Sequence, residues 1–444
     1  MMKYLVSLLL QIALITFVLS LQIPLPTQLG LIILGLTANF WMAELLPLPV
    51  TALLIPLLAA VLGVMDFKQA LLSFAHPIIF LFLGGFALAA ALHEHGLDKY
   101  LANWIMQRAN NNGLFMVLIL FSVSAFLSMW ISNTATTAMM LPIALGLLVN
   151  FNYEGNKNTF VFILLGVAYS ASIGGMATLV GSPPNAIAAT ALGLNFKDWL
   201  TLALPISVLL LTAMWGLLFV LLKPNLALFK APKEVLAFSW NAQKIAVVII
   251  FILTASLWIF GSVVQSQLGT LKGFDSWVAV LAIVLLHASK GLSWPVFEKN
   301  TQWGVLILFG GGLTLSAILS HSHANLYLAE QLAQLTQGIG IFALLWLVLI
   351  FVIFMTEISS NTALSALMIP TFMGLSQVMG FDQTIIVSAI ALAASCAFML
   401  PVATPPNAIV FGSGYIPQTA MMKVGLVLNL IFSLLLAFYF YVSI

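Results

Sequence analysis

The sequence predicts an all-α polytopic membrane protein with about eleven transmembrane helices, two re-entrant hairpins and inverted repeats. Hydrophobic residues make up 62% of the 444 residues and charged residues only 6%, whereas a soluble protein needs roughly a quarter of its residues charged. The apolar residues fall in long runs that Gly, Pro and charged residues interrupt, and polar motifs inside these runs occur twice in the same order. We therefore expect the chain to sit in lipid as two related halves.

The apolar runs define the predicted helices in order. The runs of the first half span residues 4–23, 29–46, 50–64, 77–106, 115–150, 158–192 and 199–222. After a Lys-containing linker, 223–244, the runs of the second half span residues 245–266, 275–290, 302–320, 340–378, 383–415 and 422–443. The first run is interpreted as an uncleaved span, because no small-x-small cleavage site ends it and its length is close to the roughly 20 residues that cross a bilayer.

Two runs, 115–150 and 340–378, are too long for one crossing and carry a polar tripeptide in the middle. They are therefore predicted to be re-entrant hairpins. The expected organisation is an N-terminal scaffold, a first set of transport elements, a cytoplasmic linker, a second scaffold segment and a second set of transport elements. These five segments span residues 1–110, 111–222, 223–244, 245–338 and 339–444.

The distribution of basic residues indicates an orientation. With the N-terminus in the cytoplasm, eleven basic residues lie on the cytoplasmic face: Lys3, Lys99, Arg108, Lys157, Lys223, Lys230, Lys233, Lys244, Lys290, Lys299 and Lys423. Three face outward: Lys68, Lys197 and Lys272. This asymmetry is typical of cytoplasmic loops. It predicts a bacterial-type inner (plasma) membrane protein with its C-terminus outside.

Composition also excludes several functions. The formal net charge is +2 and no Lys/Arg run could neutralise several phosphates, so nucleic-acid binding is not expected. The single Cys396 excludes an intrachain disulfide framework. The apolar spans carry no acid pair, His-Glu metal motif or Asp-rich metal-phosphate site, which argues against a membrane-embedded enzyme.

Three blocks of sequence recur in order. One strong pair is Ser132-Asn133-Thr134-Ala135 with Ser360-Asn361-Thr362-Ala363, displaced by 228 residues. The other strong pair is Gly181-Ser182-Pro183-Pro184-Asn185 with Ala403-Thr404-Pro405-Pro406-Asn407, displaced by 222 residues. A weaker pair, Gly84-Gly85 with Gly311-Gly312, precedes them at 227. An odd number of crossings separates the copies in the predicted topology, so the two halves should be inverted with respect to each other.

The chemistry of these blocks suits ions. A polar tripeptide is tolerated at membrane depth only where it lines a cavity or is buried in protein, and a helix N-terminus beginning there attracts an anion. Consecutive prolines remove two amide donors and break the helix, which frees the carbonyls of Gly181 and Ala403 for a hard cation. Asn185 and Asn407 can then bridge each break.

At these motifs the chain resembles the divalent-anion/sodium symporter family, which carries di- and tricarboxylates and, in some branches, sulfate. The resemblance extends from about residue 30 to the end of the chain. It implies a homodimer in which a fixed scaffold domain supports a moving transport domain, an elevator mechanism. It also implies Na⁺ as the coupling ion, with two or more ions bound.

The resemblance further implies a set of binding residues. One sodium ion would be held near Ser128, Ser132, Asn133 and Gly181, and another near Thr356, Ser359, Asn361 and Ala403. The substrate between them would contact Asn133, Thr134, Ser182, Asn361, Thr362, Thr404 and Pro405. None of the four motif blocks contains Lys or Arg, so bound sodium is expected to neutralise a dianion at mid-membrane, where an uncompensated charge costs several kcal/mol.

The expected function is therefore sodium-coupled transport of a C4 dicarboxylate such as succinate, malate or fumarate, and not an enzymatic activity. The open alternatives are a sodium-independent dicarboxylate exchanger, a sulfate or citrate carrier, and a cation antiporter. Glu357, beside the second motif, is a further candidate for a ligand or proton role, because an acid inside a membrane hairpin is a functional hypothesis by default. His93 and His321 end two repeat-related helices and are interpreted as solvated helix ends.

Overall fold

The computed structural model describes residues 2–106, 112–227, 238–269 and 271–442. Within these ranges every regular element is helical. Arg108, Lys230 and Lys233, which contribute to the predicted orientation, and residues 228–237 of the predicted linker lie outside the described residues.

Twenty-one α-helices make up the described chain. Those of the first half are α1 (Met2–Ser20), α2 (Leu25–Met42), α3 (Leu48–Val61), α4 (Phe67–Leu72), α5 (Pro77–Glu94), α6 (Leu97–Met106), α7 (Gly113–Ser128), α8 (Asn133–Leu148), α9 (Lys157–Gly174), α10 (Pro183–Leu192) and α11 (Phe196–Leu222). Those of the second half are α12 (Ala242–Leu268), α13 (Phe274–Ala288), α14 (Trp294–Asn300), α15 (Trp303–His321), α16 (Ala324–Leu335), α17 (Ile341–Thr356), α18 (Asn361–Met379), α19 (Gln383–Ala394), α20 (Pro405–Phe411) and α21 (Gln418–Val442).

Apart from α1, the helices of the two halves correspond one to one. Helices α2 to α11 match α12 to α21 in order, and their packing is reciprocal. Helix α3 packs against α15, and α5, the counterpart of α15, packs against α13, the counterpart of α3. In the same way α8 packs against α20 and α10 packs against α18. Such an exchange of partners is what a two-fold relation between repeats produces.

The membrane character of the fold is confirmed. Among the described residues, eight helical segments are long and apolar enough to cross a bilayer. Large apolar side chains are also exposed on the outside of long helices, as at Val220 (65% exposed), Phe260 (60%) and Phe438 (61%). An apolar exterior of this kind is stable against lipid tails and unstable against water.

The structure differs from the predicted elements in several places. The run 77–106 forms two helices, because the backbone at Gly96 turns into the left-handed region (φ 64°) that favours glycine. The short helix α4 was missed; Asp66 caps it by accepting from the backbone N–H groups of Lys68 and Gln69. Helices α14 and α16 were also missed, because their polar residues interrupt the hydropathy pattern that identifies spans.

Both predicted hairpins have the same local construction. Residues 129–132 turn α7 into α8, and the Ser132 hydroxyl accepts from the Ala135 N–H at 3.3 Å. Residues 357–360 turn α17 into α18, and the Ser360 hydroxyl accepts from the Ala363 N–H at 3.4 Å. Serine is favoured as an N-cap because its oxygen satisfies a free N–H of the first turn. Helix α18 has the length and hydropathy of a full span, so the re-entrance of the hairpins stays a prediction.

Candidate functional site

The two hairpin tips and the two broken helices meet around one cavity of about 730 Å³. The seven residues predicted to contact substrate all line it: Asn133, Thr134, Ser182, Asn361, Thr362, Thr404 and Pro405. Four of the predicted cation ligands outside that set also line it, namely Ser132, Gly181, Ser359 and Ala403. Residues more than 200 positions apart in the chain therefore converge on one place.

Each helix break is bridged by an asparagine, as the Pro-Pro-Asn motif predicts. The Asn185 Nδ2 donates to the carbonyls of Gly175 at 2.9 Å, Met176 at 3.2 Å and Thr178 at 2.7 Å. Asn407, in the second half, donates likewise to the carbonyls of Ala397 and Leu400, both at 3.0 Å. Because both asparagines are fully buried, these bonds satisfy carbonyls that helix geometry has released. The prediction is confirmed for both breaks.

Four helices begin at the cavity. Helices α8 and α18 start at the tips with Asn133 and Asn361, and α10 and the shorter α20 start at Pro183 and Pro405. The first turn of a helix carries N–H groups without helical partners and a partial positive charge. At α8 and α18 these N–H groups make the cavity wall attractive to an anion, although no described residue of the lining has a basic side chain. Helices α10 and α20 each begin with two prolines, which have no N–H to contribute.

An oxygen cluster lies behind the first tip. The Asn133 Oδ1 is 2.6 Å from the Ser128 hydroxyl, 3.2 Å from the Ala171 carbonyl oxygen and 3.3 Å from the Gly181 carbonyl oxygen. With the amide turned over, its nitrogen donates to all three oxygens. With the oxygen inward, the four oxygens form the kind of environment that hard cations prefer. Ser128 is fully buried and does not itself line the cavity.

A matching cluster lies behind the second tip. The Thr356 hydroxyl is 2.6 Å from the Asn361 Oδ1 and 2.8 Å from the Ala394 carbonyl oxygen. Thr356, like Ser128, is fully buried and does not line the cavity. The two halves thus present the same grouping of a hydroxyl, a tip asparagine and a carbonyl. The carbonyl comes from the last turn of the helix that precedes the break, α9 in the first half and α19 in the second.

The first cluster is tightly packed because two glycines allow it. A Cβ on Gly175 would lie 2.3 Å from the Asn133 Oδ1 and 3.0 Å from the Gly181 carbonyl oxygen. A Cβ on Gly181 would in turn lie 2.5 Å from the Gly175 carbonyl oxygen. A larger residue at Gly175 would therefore push against the Asn133 side chain of the tip, and a larger residue at Gly181 would push against the Gly175 backbone within the break.

Sequence reasoning missed several residues of the cavity. Ser172 and Ser395, at the ends of α9 and α19, line it, and the Ser395 hydroxyl lies 3.3 Å from that of Ser182. The Ser172 hydroxyl is buried and has no hydrogen-bond partner among the described residues. A serine just before each break is the only signal that could have identified them. Glu44 and Gln302 line the cavity from the region predicted as scaffold.

The charges around the cavity are acidic. Among the described residues, its lining includes Glu44 and Glu357 and no Lys, Arg or His. Glu357 is 4% exposed, and its carboxylate accepts hydrogen bonds from three backbone N–H groups and one side-chain amide. An anion bound here would therefore need mobile cations to balance its charge.

A second cavity of about 480 Å³ adjoins the first and shares Ser132 and Gln302 with it. Its lining carries Lys99 and His93 together with apolar side chains of α5 and α8. The His93 Nδ1 lies 2.8 Å from an Asp98 carboxylate oxygen. Among the described residues, no group of three His, Cys, Asp or Glu side chains could hold a metal ion.

Comparisons with known proteins give consistent results. A family model described as citrate transporter matches residues 38–393. An uncharacterized transporter of Haemophilus influenzae is 50% identical over 410 residues, 90% of this chain and 88% of that protein. The sodium-dependent dicarboxylate transporter SdcS of Staphylococcus saprophyticus is 32% identical over 452 residues, 94% of this chain and 87% of that protein.

Solved structures resemble the fold at much lower identity. The YdaH transporter of Alcanivorax borkumensis has a TM-score of 0.62 at 16% identity, over 95% of this chain and 99% of that chain. MtrF of Neisseria gonorrhoeae has a TM-score of 0.54 at 13% identity, over 97% of both chains. These two similarities concern the fold alone.

Proposed function

The chain belongs to the citrate transporter family of membrane transport proteins, and we propose that it carries a small divalent anion coupled to sodium. The proposed substrate is a C4 dicarboxylate such as succinate, malate or fumarate. The observation that carries this proposal is the convergence of both hairpin tips and both helix breaks on one cavity whose described lining has no basic side chain.

The absence of Lys and Arg from this lining favours cotransport over binding of the anion alone. Helix N-termini and hydroxyls give hydrogen bonds to carboxylates, but they carry only partial charges. Transfer of a dianion to such a site without compensation would cost several kcal/mol. Sodium ions bound behind each tip would supply the missing charge at the same step.

The two oxygen clusters support specific roles for the tip residues. We assign one ion to the cluster of Ser128, Asn133 and the Gly181 carbonyl, with Ser132 nearby. In this assignment the Asn133 amide turns its oxygen toward the ion, and its nitrogen is left for the substrate. The second ion belongs to the cluster of Thr356 and Asn361, with Ser359 and Ala403 beside it.

Citrate is the second candidate substrate, because the matching family model is described as a citrate transporter. The relative SdcS is named for sodium-dependent dicarboxylate transport, which favours the C4 acids. A sodium-independent exchange of dicarboxylates and a sulfate carrier are the remaining forms of the same proposal. All of these would use the same cavity.

The proposed mechanism is an elevator in a homodimer. Residues 111–222 and 339–444 would form the moving transport domain, and residues 1–110 and 245–338 the scaffold. The lining of the cavity supports this division, since it combines residues of both tips with four residues of the scaffold: Met42, Glu44, Gln302 and Val305. We place the protein in a bacterial-type inner membrane with a cytoplasmic N-terminus and an external C-terminus.

The second cavity is the proposed route between the site and the cytoplasm. It shares Ser132 and Gln302 with the substrate cavity, and its basic residues, Lys99 and His93, are of the kind absent from the substrate cavity. Lys99 belongs to the predicted cytoplasmic face. A basic vestibule raises the local concentration of an anion before it reaches a site whose described lining has no basic side chain.

Uptake of radiolabelled succinate into proteoliposomes tests the proposed function. An inward sodium gradient is compared with an equal potassium gradient, and unlabelled malate, citrate and sulfate serve as competitors. Sodium-dependent uptake that malate inhibits is the expected result. Uptake only after preloading with another dicarboxylate would replace symport by exchange, and strong competition by citrate or sulfate alone would change the substrate. No transport of any of these anions would refute the proposal.

A further inference from the structure

Glu357 occupies an unusual position at the second hairpin tip. It follows α17 directly, is 4% exposed and lines the substrate cavity. Its Oε1 accepts from the N–H groups of Phe398 at 2.7 Å and Met399 at 2.8 Å, and its Oε2 accepts from the N–H of Leu400 at 3.0 Å. The Asn429 Nδ2 on α21 donates to Oε1 at 2.7 Å.

These contacts suit an ionised carboxylate. An ionised carboxylate only accepts hydrogen bonds, whereas a protonated one must also donate. All four hydrogen bonds that the structure gives Glu357 are donated to it, three of them by consecutive backbone amides. Hydrogen bonds to a charged acceptor are about twice as strong as neutral ones, which offsets the cost of burying the charge.

In the first half, the hairpin tip is joined to the helix break without a charged side chain. The motif displacement of 228 places Met129 opposite Glu357, and the displacement of 222 places Thr178 opposite Leu400. There the Thr178 hydroxyl donates to the Met129 carbonyl at 2.5 Å and accepts from the Gly181 N–H at 3.2 Å. A neutral hydroxyl thus joins the tip to the break in the first half, and a carboxylate does so in the second.

The charge lies next to the second oxygen cluster. Glu357 is the neighbour in the chain of Thr356, whose hydroxyl contacts the Asn361 Oδ1. The segment 398–400, which it holds, leads to Ala403, a proposed cation ligand. A fixed negative charge near a cation site raises cation affinity, and the effect is larger where water is excluded.

We propose that Glu357 is a positioning residue for the second cation site, where its charge holds the unwound segment 398–400 against the hairpin tip and strengthens cation binding. The two cation sites then differ in that only the second has a fixed negative charge beside it. This inference rests on the proposed sodium coupling. It assigns Glu357 neither to substrate binding nor to proton transfer.

Glu357→Gln is the first test, because it preserves shape and removes the charge. The sodium concentration for half-maximal succinate uptake should rise at least about tenfold, equivalent to about 1.4 kcal/mol. The KM for succinate at saturating sodium should stay within about twofold of wild type, since the substrate contacts are unchanged. A variant with wild-type sodium dependence would overturn the inference.

Two further variants separate charge from local packing. Glu357→Asp keeps the charge but shortens its reach, so its sodium half-saturation should rise by less than about threefold while its Tm falls. Tyr169→Phe removes a neutral hydrogen bond to the same segment, the 2.6 Å bond from its hydroxyl to the Phe398 carbonyl. It should leave sodium half-saturation within about twofold of wild type. An increase in either variant as large as that of Glu357→Gln would contradict the role of the charge.

Sodium-induced stabilisation of the purified protein is a readout that needs no transport. A ligand that binds only the folded state raises Tm, and a tighter ligand does so at lower concentration, so Glu357→Gln should need more sodium for the same shift. If Glu357→Gln does not fold, Glu357→Asp decides alone: a rise within threefold supports the inference and a tenfold rise overturns it. If sodium does not raise the Tm of the wild-type protein, the proposed function itself is refuted. If sodium raises the Tm of wild type and of Glu357→Gln equally, only this inference is refuted.

Discussion

The substitution Gly175→Ala tests the geometry of the first cation cluster with a single methyl group. Gly175 has ordinary right-handed backbone angles (φ −61°, ψ −18°), so alanine is compatible with its backbone. Its Cβ, however, would lie 2.3 Å from the Asn133 Oδ1, where ordinary contact begins at 3.4 Å. The Asn133 amide must therefore move by about 1 Å, which is more than the roughly 0.5 Å tolerance of a functional site.

The expected size of the effect follows from packing energies. Forcing an extra methyl into a well-packed region costs about 1–3 kcal/mol. If this strain is relieved only when the cluster loses its arrangement, the free energy of sodium binding weakens by the same amount. Sodium affinity then falls about 5- to 150-fold. Apparent sodium half-saturation should rise by that factor.

The assay is a sodium titration of succinate uptake in proteoliposomes, with Gly146→Ala as the matched control. Gly146 belongs to α8 of the same hairpin, and a Cβ there would meet nothing within 4 Å. The control should keep sodium half-saturation within about twofold of wild type, because alanine also suits a helix better than glycine. Unchanged sodium dependence in Gly175→Ala would refute the packed-cluster reasoning.

Three further predictions follow from the structure. Asn133→Ala and Asn361→Ala should each abolish succinate uptake without changing the elution volume of the purified protein, and retained uptake in both would refute the site. Asn185→Leu removes three hydrogen bonds to buried carbonyls and should destabilise the protein by about 2–4 kcal/mol, measured as a lower Tm; an unchanged Tm would contradict its bridging role. Lys99→Gln should raise the KM for succinate about threefold at low ionic strength and less at high salt. Lys68→Gln, on the opposite predicted face, should leave this KM unchanged. Equal effects of the two substitutions would argue against the vestibule.

The motifs predicted the candidate cavity well because they occur twice. A single Ser-Asn-Thr or Pro-Pro-Asn block is compatible with an ordinary cap or kink, but recurrence at displacements of 228 and 222 indicates two related structures. Convergence of these copies on one cavity needed only the assumption that polar residues avoid lipid. The bridging roles of Asn185 and Asn407 followed from the donors that proline removes.

Other features left no signal that sequence reasoning could use. The carbonyls of Ala171 and Ala394 contribute to the clusters, but a backbone oxygen is the same in every residue type. The bond between Glu357 and Asn429 joins residues 72 positions apart, and neither belongs to a repeated motif. Only the three-dimensional arrangement brings these two side chains together.

Equilibrium binding of radiolabelled succinate to the purified protein, in sodium chloride and in potassium chloride of equal ionic strength, tests the central claim most directly. If sodium and the dianion occupy the cavity together, sodium lowers the succinate Kd by about tenfold or more, and succinate must raise sodium affinity by the same factor. Equal succinate affinity in the two salts would contradict a shared site for cation and anion.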